Sequence, residues 1–583
     1  MKQIRWMSLL LCLTMLFGMF AGCGSTVASA PVAETTSTAA QENSAPAQEE
    51  PASTMNDLKE LSSAAEPSED EPAEDEITYE KVEVTMPFAD GETVSMFLLL
   101  PPFVSAMLGS PHDLSVLGEL ERRSGLTFDI TEGSYLDAST DVNLMIASGT
   151  YPDIINHADI YSNGIEAAVD HEVIIDLKDY IMNDMPNLLA TFMNYGSGDV
   201  LKEITTSEGY MPYIPQIHKN PIIDSFAIGV RRDLMDELGA SDPKTFDEFH
   251  DLLVQVKNTY GLQYGMQKEG YDHALLMGYN LMAGGSEGSG VAAFRVIDGQ
   301  VDPCAAADEM YDYVSMIRDW YSEGLIFTDF ISYENYAQNN MISTGGLFGG
   351  GGVLSSTIAE ADAAGAGCQI EAIPYVTPTG SETINIHGTG SIVRCPAWSI
   401  STQCDPDTIP LILQLVEYMF SDEGILLYNY GIENQAFEYG ADGEPEWTDL
   451  ILNYEGSTTT AAFLYATANP TEYMPGVYDD DKFNYSYTQA MLDCEDILNH
   501  SSTGAWDYPQ AAQNLISSED SLRAANLSTD LGTYITETVL SWIHGEKPLD
   551  EAAWQAYVDT CYSMGLQEIV DIYQAAYEDY MAE

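Results

Sequence analysis

Basic residues are scarce in this sequence. Its 583 residues include 20 Lys and Arg against 92 Asp and Glu, which gives a formal net charge of -72. Nucleic acids and anionic lipids both require a basic surface, so this charge argues against either as a binding partner. We interpret the acidity as an adaptation to an exposed environment, where it favours solubility.

Signatures of metal and catalytic chemistry are also missing. The eight cysteines form no CxxC pair and no Cys/His cluster, and no HExxH motif occurs. The glycine-rich stretch GLFGGGG lacks the Lys-Ser/Thr that a phosphate-binding loop requires. We therefore expect that the protein binds no cofactor or metal ion and is not an enzyme. Cys395 and Cys404 are nine residues apart, which leaves a bridged loop and two buried thiols as alternatives.

A secretory leader begins the chain. Lys2 and Arg5 form a positive start, and residues 7–20 are apolar and uncharged. This run is shorter than the roughly 20 residues of a membrane span, but it has the length and flanks of a signal peptide. The following FAGC resembles a bacterial lipobox, with Phe20 where an aliphatic residue is usual. The resemblance implies a lipoprotein signal peptide over 1–22 and a lipid on Cys23. An ordinary signal peptide with a chance cysteine is the alternative.

The next segment, 23–79, has the composition of a linker. Ala, Ser, Thr, Pro and Glu dominate it, and SEDEPAEDE at 68–76 is a run of charge. Such a composition offers little to bury, so we expect a disordered tether between the lipid anchor and a folded body.

A folded α/β body is expected from residue 80 onward. KVEVTMPF at 81–88 alternates and predicts a first strand, while DLSVLGELERRSGLTFDI predicts a helix ending at Gly125 and then a strand. Helix and strand patterns go on alternating, which indicates α/β architecture with mostly parallel sheets. The last part is helix-rich, and we expect Trp542 and Trp554 to lie in its core.

Several motifs, in order, resemble the family 1 extracellular solute-binding proteins, which are the receptors of carbohydrate ABC importers. They include LMIASGTYPDIIN at 144–156, FAIGVRRDLMDELGASDPKTFDEFHDLLVQVK at 226–257, SMIRDWYSEGLIFTDF at 315–330 and EYMFSDEGILLYNYGIEN at 417–434. The resemblance implies a two-lobed periplasmic-binding-protein-like fold with hinge-crossing segments and a helix-rich C-terminal part. It assigns 80–222 and 370–420 to the first lobe, and 223–369 and 421–583 to the second.

The same resemblance implies where ligand binds. Relatives place site residues on the loop after PDII, which here offers Asn156, His157, Asp159 and Tyr161, and Tyr271 falls where they have a stacking aromatic. A sugar site needs aromatic rings and planar polar groups, so we add four further candidates, each with a core or structural role as its alternative. They are Gln216, Phe348, Trp398 and Trp506.

For several other polar residues we expect structural roles rather than ligand contacts. We expect Asp153 to hold a turn, and Arg231 and Arg232 to form ion pairs within a lobe. The run Asp479 to Asp481 does not match an EF-hand loop, so a solvated loop is preferred to a calcium site.

The function that follows is capture of an oligosaccharide by a membrane-tethered monomer, which delivers it to the permease subunits of an importer. Two alternatives remain. One is a binding protein or sensor for another solute, such as a peptide or a polyamine, because one fold hosts many ligands. The other is a secreted glycosidase, which requires two carboxylates beside a cleft.

Overall fold

The computed structural model describes residues 79–582 with internal gaps. The segments outside the description are the two chain ends and 101–109, 135–136, 196–198, 220–226, 268–269, 282–292, 334, 354–356, 359–360, 362–364, 382–390, 442, 453–473, 480–487, 501–505 and 507. The predicted signal peptide, the linker and Cys23 therefore lie outside the described residues.

Strands and helices alternate through the first half of the described chain. The strands are β1 (Thr93–Leu100), β2 (Thr127–Ser134), β3 (Ile154–Asn156), β4 (Ile214–His218), β5 (Ala227–Arg231), β6 (Phe294–Ile297), β7 (Gln300–Pro303), β8 (Gly349–Val353), β9 (Ile370–Ile373), β10 (Val393–Ile400), β11 (Phe437–Tyr439), β12 (Pro445–Trp447) and β13 (Gly476–Tyr478).

Helices surround these strands and fill the C-terminal part. They are α1 (Ser115–Ser124), α2 (Ala138–Ser148), α3 (Ile165–Asp170), α4 (Lys178–Asp184), α5 (Pro186–Tyr195), α6 (Asp199–Glu203), α7 (Arg232–Leu238), α8 (Phe246–Tyr260), α9 (His273–Gly278), α10 (Asp308–Ser322), α11 (Asn335–Ser343), α12 (Ile409–Met419), α13 (Asp422–Tyr430), α14 (Asp449–Leu452), α15 (Gln489–His500), α16 (Ser518–Ile543), α17 (Glu551–Ser563) and α18 (Leu566–Ala582). No helix in the described ranges is long and apolar enough to cross a membrane.

The larger sheet has the strand order β13-β4-β10-β3-β1-β2 in the described residues. β1 is parallel to β2 and β3, β13 is parallel to β4, and β10 is antiparallel to both of its neighbours. The carboxyl ends of β1, β2, β3, β4 and β13 therefore lie at one edge, which we call the carboxyl edge. Because the chain passes from β1 to β2 on one side and then to β3 on the other, this edge contains a topological switch point.

The smaller sheet, β8-β5-β9, is antiparallel throughout its described strands. The expectation of mostly parallel sheets is therefore wrong for this part of the molecule. Glycines explain the close approach of β8, because a Cβ on Gly349 would lie 2.1 Å from the carbonyl oxygen of Gly229. The glycine run therefore lets one strand approach another closely.

The expected first strand at 81–88 is not formed. Asn187 holds this segment instead, because its side-chain amide accepts a hydrogen bond from the backbone nitrogen of Val82 at 2.6 Å and donates one to the carbonyl of Val82 at 2.9 Å. Side-chain amides thus satisfy backbone groups that a neighbouring strand would otherwise bond. The predicted helix end at Gly125 is confirmed, since that residue adopts a left-handed φ of 83° after α1.

Two large hydrophobic clusters divide the described body. One, built on the larger sheet, takes its buried side chains from 94–217 and 392–477, and the other, built on the smaller sheet, takes them from 228–376 and 508–570. We call the parts around them the first lobe and the second lobe. The boundaries assigned from the sequence stay a prediction. Trp542 and Trp554 lie in the second cluster, with ring centroids 6.0 Å apart, as expected.

Candidate functional site

Asn156, the last residue of β3, is placed at the centre of the carboxyl edge and is fully buried. Its side-chain oxygen accepts a hydrogen bond from Leu99 N at 3.0 Å, and its amide nitrogen donates one to the carbonyl of Ala397 at 2.7 Å. The side chain therefore ties β3 to both of its neighbours, β1 and β10. Asn156 therefore supports the carboxyl edge through buried hydrogen bonds.

His157 follows immediately and has a left-handed φ of 54°. Its Nδ1 lies 3.4 Å from Oδ1 of Asp159, and Cys395 of β10 is near enough to influence its pKa. Burial lowers the pKa of His157, but the bonds to Asp159 and Cys395 outweigh it and hold that pKa well above its ordinary value. The loop after β3 thus places an imidazolium and a carboxylate side by side.

Tyr213, just before β4, faces the same cluster and was not among the expected site residues. It is buried, and its pKa is raised by that burial and by the charges of Asp159 and Glu203. Its phenol also hydrogen-bonds Asn514, which belongs to the segment before α16. A single aromatic residue before β4 is a weak sequence signal, and the hydrogen bond of its phenol depends on Asn514, some three hundred positions away.

Tyr161 lies apart from this cluster. Its hydroxyl is 3.1 Å from Nδ1 of His171, with the two rings edge to face at 6.0 Å, and it accepts a hydrogen bond from Asn163 at 2.9 Å. The ring is partly exposed. Of the four candidates on the loop after PDII, the structure brings His157 and Asp159 together and leaves Tyr161 beyond them.

Gln216 and Trp398 are buried in the larger sheet. Gln216 donates from its amide to the hydroxyl of Tyr428, which ties β4 to α13. Trp398 is fully buried in the first hydrophobic cluster and lies opposite Asn156 in the β3–β10 pairing. Both side chains support the carboxyl edge from within the lobe. Asp153 is structural, as expected, since its carboxylate accepts bonds from the backbone and hydroxyl of Ser95 at 2.8 and 2.7 Å.

Tyr271 and Phe348 are buried in the second lobe, at 2% and 0% exposure. Both belong to its hydrophobic cluster. The neighbouring Asp272 caps α9 by accepting from Leu275 N at 2.8 Å, and its own backbone nitrogen donates to the Tyr313 hydroxyl at 2.8 Å. Burial raises the pKa of Asp272 to about 6. The sequence motif that predicted a stacking aromatic therefore also contains a buried carboxyl group.

Trp506 is the candidate nearest the surface of the second lobe, and it is partly exposed. The guanidinium of Arg295 lies over the Trp506 ring, 5.4 Å from its centroid. The carbonyl of Trp506 accepts a hydrogen bond from Val296 N at 2.8 Å. Arg295 also bonds Asp302 at 2.8 Å and Glu309 at 2.9 Å. The ring is thus held against the β6–β7 hairpin by a cation–π contact.

The two lobes meet beside the His157 cluster through polar groups that the sequence did not reveal. Asn514 donates to the carbonyl of Glu203, and the Ser518 hydroxyl and backbone nitrogen at the start of α16 each lie 3.3 Å from the Glu166 carboxylate. Glu166 also accepts from Glu208 N at 3.1 Å. Residues 514–518 thus connect the second lobe to the first.

A pair of stacked aromatic rings lies farther along the carboxyl edge. The rings of His218 and Tyr478 stack with centroids 4.5 Å apart, and Lys219 pairs with Asp479 at 3.3 Å. Asp479, part of the run weighed as a calcium site, therefore neutralises a lysine, while Asp480 and Asp481 lie outside the described residues. Across the part of the chain that is described, no group of three or more His, Cys, Asp or Glu is arranged to hold a metal ion.

The remaining candidates are structural. Arg231 pairs with Asp233 at 2.6 Å, and Arg232 with Asp242 at 2.8 Å and Glu371 at 2.7 Å, so the expected ion pairs within the second lobe are confirmed. Cys395 and Cys404 are both buried and do not form a disulfide. Of the two alternatives for these cysteines, the buried thiols are correct.

Known proteins with similar sequences and folds identify the family to which the chain belongs. The model of the bacterial extracellular solute-binding protein family matches residues 118–431, more than half of the chain. The polygalacturonan/rhamnogalacturonan-binding protein YtcQ of Bacillus subtilis (strain 168) is 22% identical over 344 residues, which are 57% of this chain and 65% of YtcQ. The match thus spans just under two thirds of that relative. Lipoprotein LipO of the same organism is 23% identical over 372 residues, 60% of this chain and 70% of its own.

Among solved structures, the S. pneumoniae ABC-transporter substrate binding protein FusA in complex with kestose superposes with a TM-score of 0.67 at 18% identity. The superposition covers 84% of this chain and 100% of that one. It establishes the shared fold, which is two-lobed and α/β.

Proposed function

Because this chain belongs to the bacterial extracellular solute-binding proteins, we propose that it captures a carbohydrate between its two lobes and delivers it to the permease of an ABC importer. Family and fold are those of binding proteins. The names of YtcQ and of the FusA complex support carbohydrate as the class of ligand. An oligosaccharide fits best, since a cleft between lobes offers room for several rings.

This proposal rests on the polar and aromatic side chains at the carboxyl edge of the larger sheet. This edge places the planar polar groups of His157 and Asp159 near the Tyr213 phenol, at the switch point where open α/β sheets bind ligands. The stacked His218 and Tyr478 rings add an aromatic surface on the same edge. Sugar hydroxyls need the first kind of group and the apolar faces of pyranose rings need the second.

Side chains in this site divide into two roles under the proposal. His157, Asp159, Tyr161 and Trp506 contact the ligand, because they lie on loops beside the cleft. Five other expected residues support those loops from within the lobes: Asn156, Gln216, Tyr271, Phe348 and Trp398. Closure of the lobes about the segments that join them brings Trp506 toward the first lobe.

We further propose that the mature protein is a monomer that begins at a lipidated Cys23 and stays at the outer face of the cell membrane. The lipobox-like FAGC and the composition of 23–79 support this anchor, as does the similarity to Lipoprotein LipO. A tether keeps a receptor close to its permease. Mass spectrometry of the mature N-terminus tests the lipid on Cys23 directly.

A thermal-denaturation screen tests the ligand class. A carbohydrate at about 100 times its Kd adds about 2.7 kcal/mol to the free energy of unfolding and raises the melting temperature. Peptides and polyamines are screened beside the glycans, since the acidic charge also suits a cationic solute. Stabilisation by a polyamine or peptide and by no glycan overturns the carbohydrate proposal, and catalytic turnover of a glycan overturns the receptor role.

A further inference from the structure

A small set of polar contacts joins the two lobes independently of the chain segments that pass between them. Glu166, in α3 of the first lobe, is only 6% exposed. Its Oε1 accepts hydrogen bonds from the backbone nitrogen and the hydroxyl of Ser518, each at 3.3 Å. Ser518 is the first residue of α16, which belongs to the second lobe. The carboxylate of Glu166 therefore bonds one lobe to the other.

The first lobe binds the same carboxylate through its second oxygen. Oε2 of Glu166 accepts a hydrogen bond from the backbone nitrogen of Glu208 at 3.1 Å and another from the hydroxyl of Ser207. Both donors follow α6 in the sequence, so they belong to the first lobe. Four donors, two from each lobe, thus surround a buried charge and offset the cost of burying it.

The start of α16 also favours a negative charge at this position. The N-terminus of a long helix is the positive end of its dipole, and α16 has 26 residues. Glu519 and Asp520, in the same first turn, are exposed to solvent, whereas Glu166 reaches the turn from the other lobe and is buried. Separation of the lobes here would take away the two Ser518 donors and the favourable end of the dipole together.

Two more contacts between the lobes lie on the neighbouring helix α6. The side-chain amide of Asn514 donates to the backbone carbonyl of Glu203. The ammonium of Lys202 donates to the carbonyl of Tyr580, in α18, and lies 3.8 Å from the centroid of the Tyr580 ring. We call these groups the inter-lobe clasp, which comprises Glu166, Lys202 and Glu203 of the first lobe with Asn514, Ser518 and Tyr580 of the second.

The described contacts of the clasp are hydrogen bonds and one cation–π contact, unlike the interior of either lobe. The two large hydrophobic clusters take their side chains from separate ranges, 94–217 and 392–477 against 228–376 and 508–570. Parts of a chain move relative to one another by default unless a large apolar interface joins them. A few polar bonds can set one angle between the lobes and still rearrange when the lobes close.

We propose that the inter-lobe clasp fixes the angle between the lobes before ligand arrives, with Glu166 as its central group. The unliganded chain then keeps one orientation of its lobes, whereas a chain without the clasp samples a range of orientations about the connecting segments. Every group in the clasp belongs to this chain. The proposal therefore holds whether or not the ligand is a carbohydrate.

The test is the distribution of distances between two spin labels, measured by pulsed EPR on the full chain without ligand. One label replaces Leu144, which lies in α2 of the first lobe and is 64% exposed. The other replaces Asp251, which lies in α8 of the second lobe and has a side chain that is 82% exposed. Genetically encoded azide-bearing residues carry the labels, so the native cysteines stay unlabelled. A second pair, at 144 and the exposed Asp179, lies within the first lobe and reports on its integrity.

Two variants weaken the clasp, one from each lobe. Glu166→Gln removes the charge and places an amide nitrogen where donors point, and Asn514→Ala removes a donor of the second lobe. We expect a narrow distribution between the lobes in the wild type and one at least about twice as wide in each variant, with the pair inside the first lobe unchanged. Glu519→Gln is the matched control, because it makes the same substitution at an exposed position of α16 and should keep the wild-type width.

Two results would overturn the proposal. One is a wild-type distribution already as wide as that of the variants, and the other is a width between the lobes that Glu166→Gln leaves unchanged. If Glu166→Gln also broadens the pair inside the first lobe, the substitution has disturbed that lobe itself. Asn514→Ala, which changes the second lobe alone, then decides, since an unchanged width in that variant contradicts the clasp and a wider one supports it.

Discussion

His157 in the first lobe and Asp272 in the second are both buried ionisable side chains, and their surroundings differ in kind. His157 lies beside Asp159 and near Cys395, partners that favour its charged form. Asp272 receives hydrogen bonds from backbone amides and lies beside the Tyr264 and Tyr313 phenols, none of which bears a charge. Neutral donors offset part of the cost of burying a carboxylate, whereas an opposite charge can reverse that cost.

The two side chains also differ in their place in the fold. The His157 cluster lies at the carboxyl edge, where we propose that the ligand binds. Asp272 caps α9 beneath the glycine strand β8, inside the second cluster. We therefore interpret the first as a binding group and the second as a structural one, and the predictions below address that difference.

The largest effect is expected from crowding Asp272. A Cβ on Gly351 would lie 1.8 Å from Oδ1 of Asp272, and the capped carboxylate has little freedom to move. Gly351→Ala should lose at least about 3 kcal/mol of unfolding free energy, measured by urea denaturation. Gly346→Ala is the matched control, because its new Cβ meets no atom closer than 3.4 Å. Equal stability of the two variants would show that β8 does not confine Asp272.

Removing the charge of Asp272 should change how stability depends on pH. Its pKa of about 6 lies above the ordinary value of 3.8, so the folded state binds the proton more tightly than the unfolded state. This contribution is full below the ordinary value and is lost as pH rises through about 6. Asp272→Asn cannot ionise and still caps the helix.

The free energy of unfolding of Asp272→Asn, relative to the wild type, should therefore rise by roughly 2 to 3 kcal/mol between about pH 4 and about pH 8. Urea denaturation at each pH measures it. Asp251→Asn is the control, since the side chain of Asp251 is 82% exposed. A difference that stays constant with pH, as the control should give, would mean that Asp272 titrates normally.

A smaller effect is expected in the first lobe. Asp159→Asn keeps the shape of the side chain and removes the charge that holds His157 protonated, so we expect a loss of about 2 kcal/mol at neutral pH. Asp170→Asn alters an exposed carboxylate of the same lobe and should change stability little. NMR titration of the His157 ring should also show its pKa falling. An unchanged ring pKa would mean that Asp159 is not its partner.

Local features of the fold could be predicted from the sequence. Gly125 ends α1 because a left-handed residue suits glycine, and Arg231 and Arg232 pair within their lobe because acids surround them in the sequence. The ordered motifs identified the family. These signals are either local or repeated along the chain.

Features that depend on distant contacts could not be predicted. The segment 81–88 has a strand pattern, but the distant side chain of Asn187, rather than a neighbouring strand, bonds the backbone of Val82 within it. Tyr271 lies in the expected motif, yet its burial depends on the helices of the C-terminal part. Likewise the meeting of His157 with Cys395 requires the register of β3 against β10, which no local pattern encodes.

Hydrogen–deuterium exchange, with and without the carbohydrate that most raises the melting temperature, tests the central claim most directly. The account predicts that ligand slows exchange over 154–161 and 391–397 in the first lobe and over 506–518 in the second, because these segments border the cleft. Protection confined to other surfaces, or no protection by any carbohydrate that binds, would contradict a carbohydrate site at the carboxyl edge.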